Sequence, residues 1–295
     1  MDKIKALGMS IVEVIIFVGV LGMCYVFVGA CMVFLGVAEV QEFDQQVVDD
    51  PYNMLMLIYL PIFIGSIIGV LIVHQVIFKR PFSFSGLTTQ NVTNQFFKGV
   101  MWSALVLTLG FGILYAFGWM RIETIEMNAY LFFGFMILFF VQSTFEEMVM
   151  RSFLLPTLSY RFSIWIGLII SSIVFAFLHF DNANSNWLSL FNIFVAGMLL
   201  GIIYLRYKQI WAPIGLHMGW NFLQGNFYGF EVSGIDVYSY IDSTETGPDL
   251  WTGGGFGFEG SVLSTLFLSI LSWWIWKQAP ENFKGKLLLS SETNT

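Results

Sequence analysis

Apolar runs alternate with short polar breaks along almost the whole chain, near 9–37, 52–78, 99–119, 129–158, 163–180, 187–205, 209–228 and 260–276. Each approaches or exceeds the ~20 residues that carry a helix across a hydrocarbon core ~30 Å thick. No water satisfies the backbone inside a bilayer, so runs of this length are expected as helices. The pattern predicts an all-α fold: a polytopic membrane helix bundle with about eight transmembrane helices. No Pro- or Ser-rich linker and no internal repeat divides it, so residues 1–295 are read as a single transmembrane domain. The longest break, 229–259, contains Gly253-Gly254-Gly255 and several acids; a loop folded back over the bundle and a plain connector fit it equally. In the first run apolar sequence continues past Cys31 to Val37, too far for the apolar part of a cleaved signal, so a retained helix is expected. Cys24 and Cys31 then lie about 10 Å apart along one helix, beyond disulfide reach, as apolar filler.

Composition and charge agree with that pattern and orient it. The chain is 57% hydrophobic and 11% charged, against about a quarter charged for a soluble domain. Lys3, Lys5, Lys79, Arg80, Lys98, Arg151, Arg161, Arg206, Lys208, Lys277, Lys284 and Lys286 fall in or toward the N-terminus, the even-numbered loops or the C-terminus, leaving Arg121 alone opposite. Basic loops stay on the cytoplasmic side, so both termini are expected there, in a multi-pass protein of the cell membrane. Acidic residues gather in the other loops (Glu39, Glu42, Asp44, Asp49 and Asp50, then Glu231, Asp236, Asp242, Glu245, Asp249 and Glu259) and account for the net charge of −7. No basic patch suited to nucleic acid exists.

Three polar patterns interrupt the apolar runs: Glu146-Glu147-x-x-x-Arg151, Phe175-x-x-x-His179 and His217-x-x-x-Asn221. Ionisable groups at membrane depth are costly and point to a site. At about 100° per residue Glu147 and Arg151 share a helix face, which lets them neutralise one another, while Glu146 points elsewhere and is free for polar partners. Phe175 stacks beneath His179, and Asn221 lies on the stripe of His217. The third histidine, His74, closes the second run beside Lys79 and Arg80, where water or lipid headgroups satisfy an imidazole. Counted from the turn at 161–163, Glu146 and His179 reach similar depth, roughly 22–24 Å along their helices. His217 lies only about eight residues beyond Gln209 and would be shallower, unless Pro213 displaces the start of its helix or that helix tilts.

As a set, and in this order, the motifs resemble the CPBP family of intramembrane proteases, also called the type II CAAX prenyl endopeptidase and bacteriocin-processing family. Arg151-Ser152-Phe153-Leu154-Leu155 and the stretch from Trp211 to Asn221 look like that family's contexts. The resemblance covers a catalytic core of about 129–226, and Trp251 to Gly260 is similar to a tail of some bacterial members. It implies an intramembrane endopeptidase of the CAAX prenyl protease type. Glu146 is implied as the general base for a water, His179 as helping to hold that water, and His217 with Asn221 as stabilising the oxyanion; Glu147, Arg151 and Phe175 support them. No cofactor is required on this reading. Glu146, His179 and His217 can also be read as the ligands of a catalytic zinc; Asn is an uncommon zinc ligand and the compact H-E-x-x-H pattern is absent, which slightly favours water activated without metal. The implied partners are a membrane-associated peptide or protein substrate, lipidated or not, and the lipid bilayer. The rival reading is a non-enzymatic immunity or adaptor protein that binds a bacteriocin or a membrane partner.

The charge asymmetry has a direct test. A cysteine introduced at Ser243 should react with an impermeant thiol reagent in intact cells, and one at Ser83 should not; the opposite pattern inverts the topology.

Overall fold

Apolar side chains that turn outward to lipid and small side chains that turn inward to a neighbouring backbone shape this helical bundle. The computed structural model describes residues 8–9, 11–20, 22–23, 26, 56, 59–80 and 85–278. Cys24, Cys31, the acidic stretch 38–51, Ser83, Lys3, Lys5, Lys284 and Lys286 lie outside the described residues. Helix α1 is Ile11–Val20. Helix α2 (Leu60–Ile72) widens into a π turn over Val73–Ile77, and α3 is Val92–Ala116. Helix α4 (Ala129–Glu147) runs through π-wound Met148–Leu154 into α5 (Leu155–Arg161). Then follow α6 (Ile164–Phe177), α7 (Trp187–Tyr207), α8 (Trp211–Phe222, with a π turn over Leu223–Phe227), the short α9 (Asp249–Thr252) and α10 (Val262–Lys277).

Helices thus occur at each place the apolar pattern predicts. Among the described residues four have the length and apolarity to cross a membrane: Leu60–Ile77, Val92–Ala116, Ala129–Arg161 and Trp187–Tyr207. Ile11–Val20, Ile164–Phe177 and Val262–Lys277 are apolar but shorter. Their starts are set locally. Asn128, Ser163, Asn186 and Ser261 each cap a helix by accepting a backbone N–H, which satisfies donors that have no partner within the helix. Pro61 and Pro156 stand in first turns, where a missing N–H costs nothing.

Helix α8 lies inside the bundle. Within the run 209–228, every residue from Ala212 to Phe222 is buried, with α3, α4 and α7 packed around it. Small residues permit the closest of these contacts. A Cβ on Gly99 of α3 would overlap the Ala212 carbonyl oxygen, one on Gly215 would overlap the Phe96 carbonyl oxygen, and one on Gly219 would overlap Ser103 Oγ. Backbones approach to this degree only where side chains are absent or tiny. The start of α8 is also interior: Ile210 N–H donates to the Gly86 carbonyl at 3.1 Å, and Trp211 Nε1–H to that of Thr88 at 2.7 Å. Because Ile210 and Ala212 are fully buried, the depth of His217 cannot be counted from a turn at the surface, and the mismatch expected for it disappears.

Two further findings concern the segments between helices. A two-stranded antiparallel ribbon joins β1 (Met120–Ile125) to β2 (Ile241–Glu245), with Met120 opposite Glu245 and Ile125 opposite Ile241. Met120, Ile122 and their polar neighbours Arg121 and Glu123 alternate with the period of a strand, so the fold is helical with a small β element rather than strictly all-α. Of the two alternatives for 229–259, the structure adopts the folded-back one: Phe230, Val232, Phe256 and Phe258 are all buried. His74 is likewise buried, its Nδ1 3.1 Å from Ser85 Oγ, not left to water or headgroups. Elsewhere Glu13 of α1 accepts from Arg80 at 2.9 Å and Arg161 at 2.6 Å, tying α1 to the ends of α2 and α5.

Glycine substitution should separate the tight seam from the lipid face. Gly215→Ala is expected to lower stability by about 1–3 kcal/mol through overpacking. Gly112→Ala, with nothing within 4 Å of the added carbon, should be neutral or stabilising by up to ~1 kcal/mol through helix propensity. Thermal unfolding in detergent measures both, and equal midpoints would refute the seam.

Candidate active site

The polar groups enter where α4 changes winding. Glu146 and Glu147 end α4, and the π-wound stretch after them carries Arg151; single π turns inside helices recur at functional sites because they re-aim side chains. Glu147 is 0% and Arg151 1% exposed. Arg151 Nη1 donates to Glu147 Oε1 at 2.9 Å, and Arg151 Nη2 donates to the Gly197 carbonyl of α7 at 3.2 Å. The expected pairing of Glu147 with Arg151 is therefore present, with a member the sequence did not announce. His217 Nδ1 lies 3.0 Å from the same Glu147 Oε1. An ionised carboxylate only accepts, so Nδ1 is assigned the proton.

Phe175 holds the histidines. Its ring lies under the Arg151 guanidinium at 4.7 Å and meets the His217 ring edge-on at 5.8 Å and the His179 ring at 4.9 Å. His179 stands just beyond α6, and its Nδ1 is 2.8 Å from the Phe175 carbonyl oxygen, one turn back. A carbonyl only accepts, so this ring also carries its proton on Nδ1, and in a neutral ring Nε2 keeps its lone pair. Glu146 heads in a different direction from Glu147, as the angle of about 100° between successive helix residues demands. Its Oε1 accepts from Gln142 Nε2 at 3.1 Å; its Oε2 is buried without a hydrogen-bond partner among the described residues and lies 3.7 Å from His217 Nε2. That separation is too long for a direct hydrogen bond.

Glu146, His179, His217 and Asn221 line one cavity of ≈ 420 Å³. Asn221, one turn beyond His217, is 6% exposed, and its amide makes no side-chain hydrogen bond among the described residues. Phe63 of α2 and Tyr59 just before it, with Leu138 and Phe139 of α4, give the cavity an apolar wall. The structure thus gathers all seven residues singled out in the sequence: five at the cavity, Phe175 among them, and Glu147 with Arg151 as a bracket behind them.

Sequence reasoning missed Gln142 and Glu259. Gln142 was visible as the residue one turn before Glu146. Glu259, on the 3₁₀ turn Phe258–Gly260, also lines the cavity; only its place in a glycine-rich stretch hinted at a special position. Ser233 donates to Glu259 Oε1 from its N–H at 2.6 Å and its hydroxyl at 2.5 Å. Burial pushes the Glu259 carboxyl above the ordinary range, while the Ser233 donors and the facing His179 and His217 pull it back.

Among the described residues no three His, Cys, Asp or Glu side chains group to hold a metal ion, so Glu146, His179 and His217 as placed do not fit a three-ligand zinc centre.

Residues 127–223 match the family described as type II CAAX prenyl endopeptidase Rce1-like. No curated protein and no solved structure matches the chain. The matched stretch contains all seven residues, and the likeness supports a CAAX-type intramembrane protease.

Glu147→Ala strips the acceptor from both Arg151 and His217 and should cost about 3–5 kcal/mol, as breaking a buried ion pair does. Glu146→Gln disturbs a single bond to Gln142 and should stay within about 1 kcal/mol. Equal unfolding midpoints for the two variants would refute the bracket.

Proposed function

We propose, from the match of residues 127–223 to the type II CAAX prenyl endopeptidase Rce1-like family, that this protein hydrolyses a peptide bond with a water activated by Glu146. One observation carries the reading: the unpaired Glu146 Oε2 opposite His217 Nε2 in a buried cavity shared with His179 and Asn221. The gap of 3.7 Å leaves the carboxylate oxygen free to take a proton from a water rather than spend itself on the imidazole. His179, held by Phe175, offers Nε2 to that water. The developing oxyanion is met by the Asn221 amide and by His217. For His217 to donate from Nε2 it must be doubly protonated, the form suited to a ring with Glu147 at one nitrogen and Glu146 facing the other. Glu147 and Arg151 act through His217 by fixing its orientation. Gln142 orients the base through its bond to Oε1.

The substrate reading is a membrane-associated peptide or protein, with a lipid-anchored one the most natural occupant. The apolar wall of Tyr59, Phe63, Leu138 and Phe139 beside the polar cluster suits a chain segment that brings acyl or prenyl carbon with it. The proposed steps use protein groups and water alone.

Purified protein incubated with a prenylated CAAX peptide, with products read by mass spectrometry, tests the activity. Glu146→Gln, His179→Ala and His217→Ala should each lower hydrolysis at least about a hundredfold with the fold retained, and Asn221→Ala less, if His217 carries most of the oxyanion. Unchanged turnover in any of the first three removes that residue's role. Activity should also persist after treatment with a membrane-compatible chelator, at below about 0.1 metal per chain by elemental analysis; loss of activity restored by stoichiometric zinc would replace this mechanism with a metal-assisted one.

A further inference from the structure

Glu259 is a cavity carboxyl group that the mechanism above leaves unused, and its position is built by several independent contacts. Gly257 adopts φ +94°, and a Cβ there would overlap the Glu231 carbonyl oxygen, so only glycine closes the bend that presents it. Asn192 of α7, 1% exposed, donates from Nδ2 to the carbonyls of Glu259 and Ser261, each at 2.8 Å, and accepts from Thr265 of α10. The backbone of Glu259 is thereby clamped between two helices. Ser233 grips one carboxyl oxygen from the folded-back segment, and the other makes no hydrogen bond among the described residues. No Lys or Arg pairs with Glu259 among those residues; the groups facing it are His179 and His217, and the cavity's other titratable side chains are Tyr59 and Glu146. Two carboxyl groups therefore stand on different walls of one cavity, Glu146 from α4 and Glu259 from the turn before α10.

We propose, resting on the peptide-hydrolase reading above, that Glu259 is a second catalytic carboxyl group, the acid that protonates the leaving amine. Amide hydrolysis needs such a donor, because an unprotonated amide anion is too poor a leaving group to depart. Glu146 takes one proton from water as its oxygen bonds to the carbonyl carbon, giving an oxyanion. On collapse the C–N bond breaks, its electron pair goes to nitrogen, and nitrogen takes the Glu259 proton. The new carboxylic acid then returns its proton to Glu259, and Glu146 passes its own to the free amine. Carboxylate and ammonium leave, and both glutamates are restored with no other reactant. Burial, which favours the protonated carboxyl, suits a group that starts the cycle as an acid.

The test pairs two substrates: a prenylated CAAX peptide, and the same peptide with a thioester in place of the scissile amide. A thiolate leaves without being protonated. Glu259→Gln should lower amide hydrolysis at least about a hundredfold and thioester hydrolysis less than about threefold, whereas Glu146→Gln should lose both. Parallel loss on the two substrates, or amide hydrolysis at the parent rate, in Glu259→Gln would overturn the assignment. Full thioester hydrolysis by Glu146→Gln would instead overturn the role of Glu146 and leave the Glu259 comparison readable. Should Glu259→Gln not fold, Ser233→Ala decides. Loss of the hydroxyl removes a donor that favours the carboxylate, so the acid form survives to higher pH and the basic limb of the amide pH–rate profile should move up. An unmoved limb would refute the proposal.

Discussion

The buried ion pair of Glu147 with Arg151 is the constraint on which the rest of this site depends. Neither charge can stay in a low-dielectric interior alone, and each is held by further contacts: Arg151 by the Gly197 carbonyl and the Phe175 ring, Glu147 by His217. Removing one partner would leave the other charge buried and uncompensated. These contacts tie α4, α6, α7 and α8 together. The ring of His217 cannot turn without leaving Glu147, and Phe175 packs against both histidines.

Holding that network at the correct depth falls to features of little chemical interest by themselves. The π winding after Glu147 sets Arg151 back against its partner. Gly99, Gly215 and Gly219 let α8 press against α3 until their backbones touch, which brings His217 inward. Because α8 begins inside the protein, against Gly86 and Thr88, its short length is sufficient. The folded-back segment closes the cavity from the other side. Phe256 and Phe258 anchor it in the core while Ser233 and Glu259 face the polar groups, so the lining is drawn from parts of the chain more than a hundred residues apart in order (from Glu146 to Glu259).

The amino-acid sequence by itself determined which segments are helices, because backbone groups in hydrocarbon must satisfy one another and the apolar runs have the length to do so. It also determined the pairing of Glu147 with Arg151 and the different heading of Glu146, since both follow from the angle between successive residues on one helix. The stripe of His217 and Asn221 was legible for the same reason. Contacts between elements were not. That α8 is buried along its length, that β1 pairs with β2, that His217 shares the acceptor of Arg151, and that Glu259 reaches the cavity were decided by the tertiary structure. The physical reason is that periodicity records which face of a helix is apolar but not whether lipid or protein covers it, and a glycine-rich stretch records permission to bend but not where the bend leads.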